Sequence, residues 1–346
     1  MRSILFSVVI LVSSLFAQAQ ILKHGASPQE LQKIKSQVGF QQVRMYPARD
    51  VPWTPVFEAA DYKYVLMSTE ANFSEAENLR FKIAGNLPAD VKLVLLVNSD
   101  QVEAYKKVYS KYIALDRVIM AAAPSISNGF WARDAFPYPV TDAAGKLALV
   151  AAKYYRPFSA GASIAQSLEL NLTQNSFTFV GGNLLADEDG NCFSVKSTRL
   201  FNTTEADLKN AYGCKTVHFL KHLTGIGDVD EVLKPLPNKT MLTNNSSYKA
   251  ELEGLGYTVV MLPSIPSSYR TYANALVVGK TAFMPTYGVA ADQQAKKVYE
   301  DVGYTVVGIT SNYLSDQLNG SVHCQTMAYP AMSEEELLNL LQLQRL

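Results

Sequence analysis

Residues 180–195 read VGGNLLADEDGNCFSV and have the form of a β-hairpin with a polar residue at its entrance. Gly181-Gly182-Asn183 leads into an apolar strand over residues 184–186, and the strand over 192–195 returns after a polar turn. Aspartate, asparagine and glycine between two short apolar runs are typical of hairpin turns. The stretch therefore predicts two paired strands that begin at Asn183.

Four other stretches of the chain have the same form. Each places a polar or reactive residue in front of a hairpin, and helices and further strands fill the intervals. The five residues are Asp134, Asn183, Asp230, Asn274 and Cys324, with steps of 49, 47, 44 and 50 residues. Such a period is a signature of repeat architectures. Because strands alternate with helices, the predicted class is α/β, and the period predicts a closed pseudo-symmetric ring whose five residues face a common centre.

The N-terminal residues have the pattern of a secretory signal peptide. Arg2 gives a positive start, residues 4–16 are apolar, and Ala17-Gln18-Ala19 is a small-x-small cleavage site. The apolar run is too short for a membrane span, and no other segment is long and apolar enough for one. We therefore predict a signal peptide over residues 1–19 and a secreted or periplasmic protein.

The balance of charges restricts the classes of binding partner. Acidic and basic residues balance at 31 each without a basic block, which argues against nucleic acid and membrane surfaces as partners.

The chain has three cysteines, Cys192, Cys214 and Cys324. If two of them pair, one thiol is left over, and a Cys192–Cys214 disulfide is one arrangement. The usual zinc-binding spacings are absent, so we predict no metal and no cofactor. The sequence does not indicate an oligomeric state.

Cys324 lies in the stretch GSVHCQT, residues 320–326. A free cysteine there is either a small core residue or a nucleophile. The first alternative describes an exported structural protein with a buried cysteine, and it leaves the regular spacing of the five stretches unexplained. If residues 320–326 form a strand, alternation turns His323 to the face opposite Cys324.

Five short motifs in order resemble the pentein guanidine-modifying enzymes, most closely the agmatine deiminase and bacterial peptidylarginine deiminase branch. The motifs are W-x-R-D at 131–134, G-G-N at 181–183, G-x-V-D-E at 227–231, Y-x-N at 272–274 and G-S-x-H-C-x-T at 320–326. The resemblance covers roughly residues 43–330. It implies a pentein fold, which is a fivefold pseudo-symmetric α/β propeller of ββαβ units, in one catalytic domain over residues 20–346.

The resemblance also implies a reaction, the hydrolysis of a guanidino group to a ureido product and ammonia. Asp134 and Asp230 would clamp the guanidinium, whose forked donors match carboxylates. Cys324 as thiolate would attack the central carbon, and water would hydrolyse the resulting thiouronium adduct. Asn274, Asn183 and Trp131 would line the substrate site. The implied ligand is a small guanidino compound, such as agmatine, or an arginine-containing peptide.

Asp228 departs from the family pattern. The third motif normally reads Gly-His-x-Asp, and its histidine is the general acid and base, but Asp228 follows Gly227 here. A carboxylate near Cys324 tends to raise the pKa of the thiol, although a crowded Asp228 that stays protonated can act as the acid. Two interpretations stay open: a deiminase with Asp228 in the acid/base position, and a catalytically silent protein that binds guanidino compounds or arginine-bearing peptides.

Two further points concern substrate and reaction type. Val180 stands where many agmatine deiminases carry an acidic residue, and together with export this favours arginine in peptides or proteins. An amidinotransferase, in which an amine replaces water as the acceptor, uses the same thiol chemistry and is a third possibility.

Overall fold

The computed structural model describes residues 23–25, 53–123, 129–153, 172–200, 203–223 and 225–346. The predicted signal peptide lies outside these ranges, as does the stretch over residues 28–38, whose apolar spacing predicts a helix. None of the helices in the described ranges is long and apolar enough to span a bilayer. The α-helices are α1 (Ser74–Asn86), α2 (Val102–Tyr109), α3 (Ala132–Ala135), α4 (Glu205–Tyr212), α5 (Lys249–Gly254), α6 (Ala291–Asp301), α7 (Asn312–Asp316) and α8 (Glu334–Leu340).

The β-strands alternate with these helices along the chain. They are β1 (Thr54–Pro55), β2 (Tyr62–Ser68), β3 (Lys92–Leu96), β4 (Val118–Ala122), β5 (Tyr138–Thr141), β6 (Leu147–Lys153), β7 (Leu172–Thr178), β8 (Leu185–Ala186), β9 (Cys192–Lys196), β10 (Val217–Lys221), β11 (Leu233–Leu236), β12 (Thr240–Thr243), β13 (Thr258–Met261), β14 (Leu276–Val278), β15 (Thr281–Thr286), β16 (Thr305–Thr310), β17 (Met327–Pro330) and β18 (Gln344–Arg345).

Within the described ranges the strands form five sheets, and one pairing pattern recurs in them. An antiparallel pair is followed by a strand parallel to the second member, as in β8–β9–β10, β11–β12–β13 and β14–β15–β16. The sheet of β1, β5, β6 and β7 contains the same unit, with β1 added antiparallel to β5. The repeat predicted from the sequence is thus a repeat of one sheet pattern, and the α/β class is confirmed.

The fifth sheet joins the two ends of the described chain. β17 pairs antiparallel with β2, so that Met327 lies opposite Leu66, and β2, β3 and β4 follow in parallel. β18 completes the sheet beside β4. Residues 320–326 therefore lead directly into a strand whose hairpin partner comes from the other end of the sequence.

Buried apolar runs explain why the central strands form. Val65 and Leu66 of β2 and residues 93–96 of β3 are fully buried, as expected of parallel strands covered on both faces. Helix α4 begins at a capping box made by Thr204 and Asp207 and ends at Gly213, whose φ of 77° fits a glycine C-cap. Local sequence and burial therefore agree over these elements.

Cys192 and Cys214 form a disulfide that ties the start of β9 to the segment after α4. This is the pairing considered from the sequence, and it leaves Cys324 as the free, buried thiol. Closing a loop of this length restricts the unfolded chain, which is the main way a disulfide stabilises a fold.

Candidate active site

The structure brings three of the five motif residues into contact around the thiol. Cys324 Sγ lies 3.1 Å from Nδ2 of Asn274 and 3.6 Å from Oδ2 of Asp230. All three side chains are buried. Residues from the third, fourth and fifth motifs therefore share one site.

The nucleophile segment is a turn held by neighbouring motifs. Residues 322–325 form the turn, and the backbone N–H of His323 donates to Oδ1 of Asn274 at 3.1 Å. The N–H of Arg133 donates to the carbonyl of Cys324 at 3.1 Å. At Gly320 a Cβ would lie 2.5 Å from the ring of Trp131, so only glycine allows this approach. The position of Cys324 is thus fixed from both sides.

The expectation that His323 faces away from Cys324 is wrong. Side chains alternate along a strand but not through a turn, and residues 322–325 form a turn. Nδ1 of His323 lies 2.7 Å from Oδ2 of Asp230, the oxygen that also approaches Cys324 Sγ. An imidazole and the thiol therefore share one carboxylate.

Glu58 lies on the other side of His323 and belongs to a buried charge network that the sequence did not indicate. Its Oε1 is 2.6 Å from Nε2 of His323 and accepts a hydrogen bond from Nζ of Lys234 at 2.8 Å. Arg133 Nη1 is 3.9 Å from Oε2. Burial opposes ionisation of Glu58, but His323, Lys234 and Arg133 together hold its pKa well below the ordinary value. Glu58 is therefore a carboxylate that orients His323 towards Asp230.

Breaking this network is expected to cost stability. In Lys234→Met, Glu58 loses its hydrogen-bonded cation in a fully buried position, and removing one partner of a buried pair costs about 3–5 kcal/mol. The exposed pair of Lys297 with Asp301 supplies the control, because Lys297→Met should leave the free energy of unfolding close to that of wild type. Urea unfolding of both variants measures the difference, and equal stabilities would contradict the assigned network.

A second cluster of charges surrounds Asp134 and Asp228. Arg199 donates from Nε and Nη2 to the two oxygens of Asp228, both at 2.9 Å, in a bidentate pair. Nη2 of Arg199 also lies 3.3 Å from Oδ2 of Asp134, and Nε2 of His24 lies 2.7 Å from the same oxygen. Neither Arg199 nor His24 was a candidate from the sequence, since no motif contains them.

These contacts determine the ionisation of the two aspartates. Burial opposes ionisation of Asp134, but His24 and Arg199 outweigh it and lower the pKa to about 2. Burial raises the pKa of Asp228, and Arg199 opposes that rise. Each oxygen of Asp228 accepts an N–H of Arg199, so Asp228 serves as the partner of an internal guanidinium.

Donor atoms of His24, Asp134 and Asp228 lie within 4.8 Å of one another, a grouping that suits a metal ion. The guanidinium of Arg199 already contacts both carboxylates from within the group. A metal ion bound there would be repelled by the nearby guanidinium of Arg199. The two carboxylates and His24 therefore suit the side chain of Arg199 better than a metal ion.

Gly182 lies close to the carboxylates of both Asp134 and Asp230. Its N–H donates to Oδ1 of Asp134 at 3.0 Å, and a Cβ at this position would lie 3.2–3.3 Å from both oxygens of Asp230 and 3.4 Å from Oδ1 of Asp134. Oδ1 of Asp230 is buried and has no hydrogen-bond partner in the described part of the chain. Two carboxylates therefore face one small space beside the thiol.

The thiol of Cys324 is neutral at rest. Burial raises its pKa well above the ordinary value, and the negative charges of Asp230 and Asp134 raise it further. The sequence predicts that Asp228 raises this pKa, whereas burial, Asp230 and Asp134 raise it in the structure.

The raised pKa predicts a pH effect on stability. Because the folded-state pKa lies above the unfolded value, the neutral thiol contributes its full stability below about pH 9 and loses it as the pH rises further. Relative to Cys324→Ser, which does not titrate there, the wild-type protein should lose up to about 1.4 kcal/mol per pH unit. Urea unfolding of both proteins between about pH 8 and about pH 10 tests this, and parallel curves would contradict it.

The side chains of Asn183 and Trp131 make structural contacts within the protein. The amide of Asn183 bonds the backbone of Val195 in both directions and accepts the N–H of Val229, which joins β9 to the third motif. Trp131 is buried, with its ring 4.7 Å from that of His24. A substrate contact by either residue stays a prediction.

Comparisons with known proteins place the chain in a family. Residues 66–330, well over half of the chain, match the model of Porphyromonas-type peptidyl-arginine deiminase. Comparison with curated protein sequences gives no match.

Similar solved structures include agmatine deiminases and a deiminase from Porphyromonas. The C. jejuni agmatine deiminase aligns with a TM-score of 0.66 at 16% identity over 84% of this chain and 99% of its own. A Porphyromonas gingivalis protein assigned as an arginine deiminase gives 0.64 at 20% over 80% and 98%. The agmatine deiminase of Enterococcus faecalis gives 0.65 at 14% over 81% and 96%. At these identities the likeness shows a shared fold. The family match shows more: this chain belongs to the Porphyromonas-type peptidyl-arginine deiminase family.

Proposed function

We propose that this protein is an exported deiminase that hydrolyses a guanidino group of agmatine or of peptidyl-arginine to a ureido product and ammonia. The observation that carries the proposal is the approach of Asp134 and Asp230 to one point at Gly182, beside the thiol of Cys324, where Oδ1 of Asp230 has no hydrogen-bond partner among the described residues. A planar cation with forked donors is the group that two facing carboxylates bind best. Membership of the deiminase family supports the same reaction.

The proposed chemistry follows from the charges of the site. A bound guanidinium adds positive charge between Asp134 and Asp230, which lowers the pKa of Cys324 and favours the thiolate. The thiol gives up its proton to the proton-transfer group, and the sulfur forms a bond to the central carbon. A C–N bond then breaks as the leaving nitrogen takes up that proton and departs as ammonia. Water then attacks the thiouronium carbon, the C–S bond breaks, and the ureido product leaves with the thiol regenerated.

His323 is the group we assign to proton transfer in this scheme. The sequence placed Asp228 in that position, but both oxygens of Asp228 accept hydrogen bonds from Arg199. His323 contacts the carboxylate that also approaches the thiol, and imidazole exchanges protons near neutral pH. The ion-pair contact with Glu58 supports an orientation in which Nδ1 points into the site.

Two structural proposals accompany the reaction. We infer that the five sheets form the blades of a pentein propeller around the motif residues, and the repeated sheet pattern supports this arrangement. We also propose export to the periplasm or the medium, which the signal-peptide pattern and the Cys192–Cys214 disulfide support.

A catalytically silent guanidino-binding protein is the second candidate. The observation that favours it is the occupation of Asp134 and Asp228 by His24 and Arg199, together with the raised pKa of Cys324. In this alternative the carboxylates bind cationic groups, and the thiol never reacts.

One assay separates the candidates. Purified protein that begins at Gln20 is incubated with agmatine, with free arginine and with a peptide that contains an internal arginine. Ammonia release is followed together with the mass of the ureido product. Turnover of one class supports the deiminase and names its substrate, whereas saturable binding without turnover supports the silent protein. The absence of both binding and turnover with every substrate rejects both candidates, and transfer of an amidino group to added glycine would indicate an amidinotransferase.

A further inference from the structure

A short N-terminal strap, residues 23–25, places a side chain in the candidate active site. The backbone N–H of His24 donates to the carbonyl of Leu318 at 2.5 Å, and Nδ2 of Asn319 donates to the carbonyl of His24 at 3.5 Å. Leu318 and Asn319 directly precede the segment that carries Cys324. The strap therefore lies against the nucleophile segment through two hydrogen bonds of its backbone.

The side chain of His24 is buried among polar and aromatic groups. It is 1% exposed, its ring packs 4.7 Å from the ring of Trp131, and Nε2 lies 2.7 Å from Oδ2 of Asp134 and 3.8 Å from Oδ2 of Asp228. Nδ1 is buried without a hydrogen-bond partner in the described ranges. Nε2 thus contacts the carboxylates of the site, while Nδ1 has no partner among the residues that the structure describes.

The contacts of Asp134 bring His24 into competition with a substrate. Oδ1 of Asp134 accepts the N–H of Gly182, and Oδ2 accepts from His24 and lies 3.3 Å from Nη2 of Arg199. Arg199 is held in place by its bidentate pair with Asp228, whereas His24 is held by Asp134 and two backbone hydrogen bonds. A guanidinium that reaches Oδ2 of Asp134 must therefore displace His24.

We propose that His24 is a self-ligand that occupies the Asp134 side of the guanidinium site, and that a planar cation displaces its side chain from Asp134 when it binds. The proposal rests on the guanidinium site described above, between Asp134 and Asp230, but it does not require turnover. The imidazole and a guanidinium share the chemistry that the site selects, a flat group with N–H donors in its plane. The ligand class is therefore planar nitrogen cations, with the strap as their competitor.

Alkylation of Cys324 reads out the competition without any catalysis. The chain has one free thiol, and 2-chloroacetamidine carries a planar cationic amidinium next to an alkylating carbon, so it reports entry of a planar cation. His24→Ala should be alkylated at least about 10-fold faster than wild type, because a hydrogen bond to a charged carboxylate no longer has to be broken. The neutral reagent iodoacetamide should gain less. His222→Ala removes an exposed histidine and should match wild type with both reagents.

Imidazole tests the identity of the occupant. Added imidazole should slow the amidinium reaction of His24→Ala by filling the space of the missing ring, and it should have no effect on wild type. His24→Gln retains an N–H donor and should react at an intermediate rate, which keeps the test usable if His24→Ala unfolds. Thermal unfolding of each variant shows which of them are folded, and only folded variants are compared with wild type.

The outcomes separate this proposal from the proposed reaction. Equal amidinium rates in wild type and both His24 variants, or no protection by imidazole, would overturn the self-ligand. If the rates differ as expected and no guanidino compound is turned over, the self-ligand stands and the deiminase fails. If a guanidino compound is turned over and the alkylation rates are unchanged, the deiminase stands and the self-ligand fails.

Discussion

A Cys324→Ala variant is expected to release no measurable ammonia from any guanidino substrate that the wild-type protein hydrolyses. The thiol is the group that forms the covalent adduct, and loss of a nucleophile lowers kcat by about 10⁴-fold or more in enzymes of covalent mechanism. The other two cysteines are joined in a disulfide and cannot replace it. Ammonia release, assayed at an enzyme concentration high enough to detect a very slow residual rate, measures the effect.

The control for this variant is its fold. Alanine in the buried position of Cys324 removes only a sulfur atom, so thermal unfolding should stay close to that of wild type. A folded Cys324→Ala protein that still releases ammonia at the wild-type rate would show that another residue is the nucleophile. Detection of the adduct mass in wild type, and its absence in the variant, gives a second readout.

An Asp230→Asn variant is expected to lose kcat/KM by about 10³-fold. Asparagine keeps the shape, but the neutral amide no longer balances a guanidinium, and truncating one partner of a buried charge pair costs about 2–5 kcal/mol or more. The same change replaces a charged acceptor, which His323 shares with the thiol, by a neutral amide. Steady-state kinetics should therefore show both a raised KM and a lowered kcat.

Asp189→Asn is the matched control for that loss. Asp189 lies in the exposed turn before β9, far along the chain from the thiol, and its neutralisation should leave kcat/KM within about 2-fold, as for most surface changes. An Asp230→Asn protein that keeps wild-type kinetics would remove the basis for a guanidinium clamp. A change in KM alone would limit Asp230 to binding and leave the proton transfer to be explained without it.

The repeating elements could be predicted because they are local. Short apolar runs separated by Asp, Asn and Gly define the hairpins. The helices expected in the intervals between hairpins are also present, as α4 between β9 and β10. The first strands begin slightly later than predicted. The motif residues lie instead in short helical turns that precede these strands, such as Gly181–Asn183 before β8 and Val229–Glu231 before β11. The convergence of Asp230, Asn274 and Cys324 followed from the regular spacing.

The partners of these residues could not be predicted in the same way. The direction of the His323 side chain was predicted wrongly because the sequence of residues 322–325 is compatible with a turn or a strand. Tertiary contacts decide between the two. Glu58, Arg199 and His24 belong to no repeat. Their roles arise from contacts across 29 positions for Arg199 with Asp228, 110 for His24 with Asp134 and 176 for Glu58 with Lys234. Single charged residues in ordinary contexts carry no signal that they will be buried together.

The pairing of β17 with β2 sets the order in which the molecule can be completed. A chain made from its N-terminus holds β2, β3 and β4 long before β17 exists, because Met327 must be synthesised before it can lie opposite Leu66. Contacts between such distant positions also close late in folding, since long loops cost entropy. Cys324 therefore meets Asn274 and Asp230 only after residue 324 has been synthesised, and a shorter nascent chain carries no assembled thiol site.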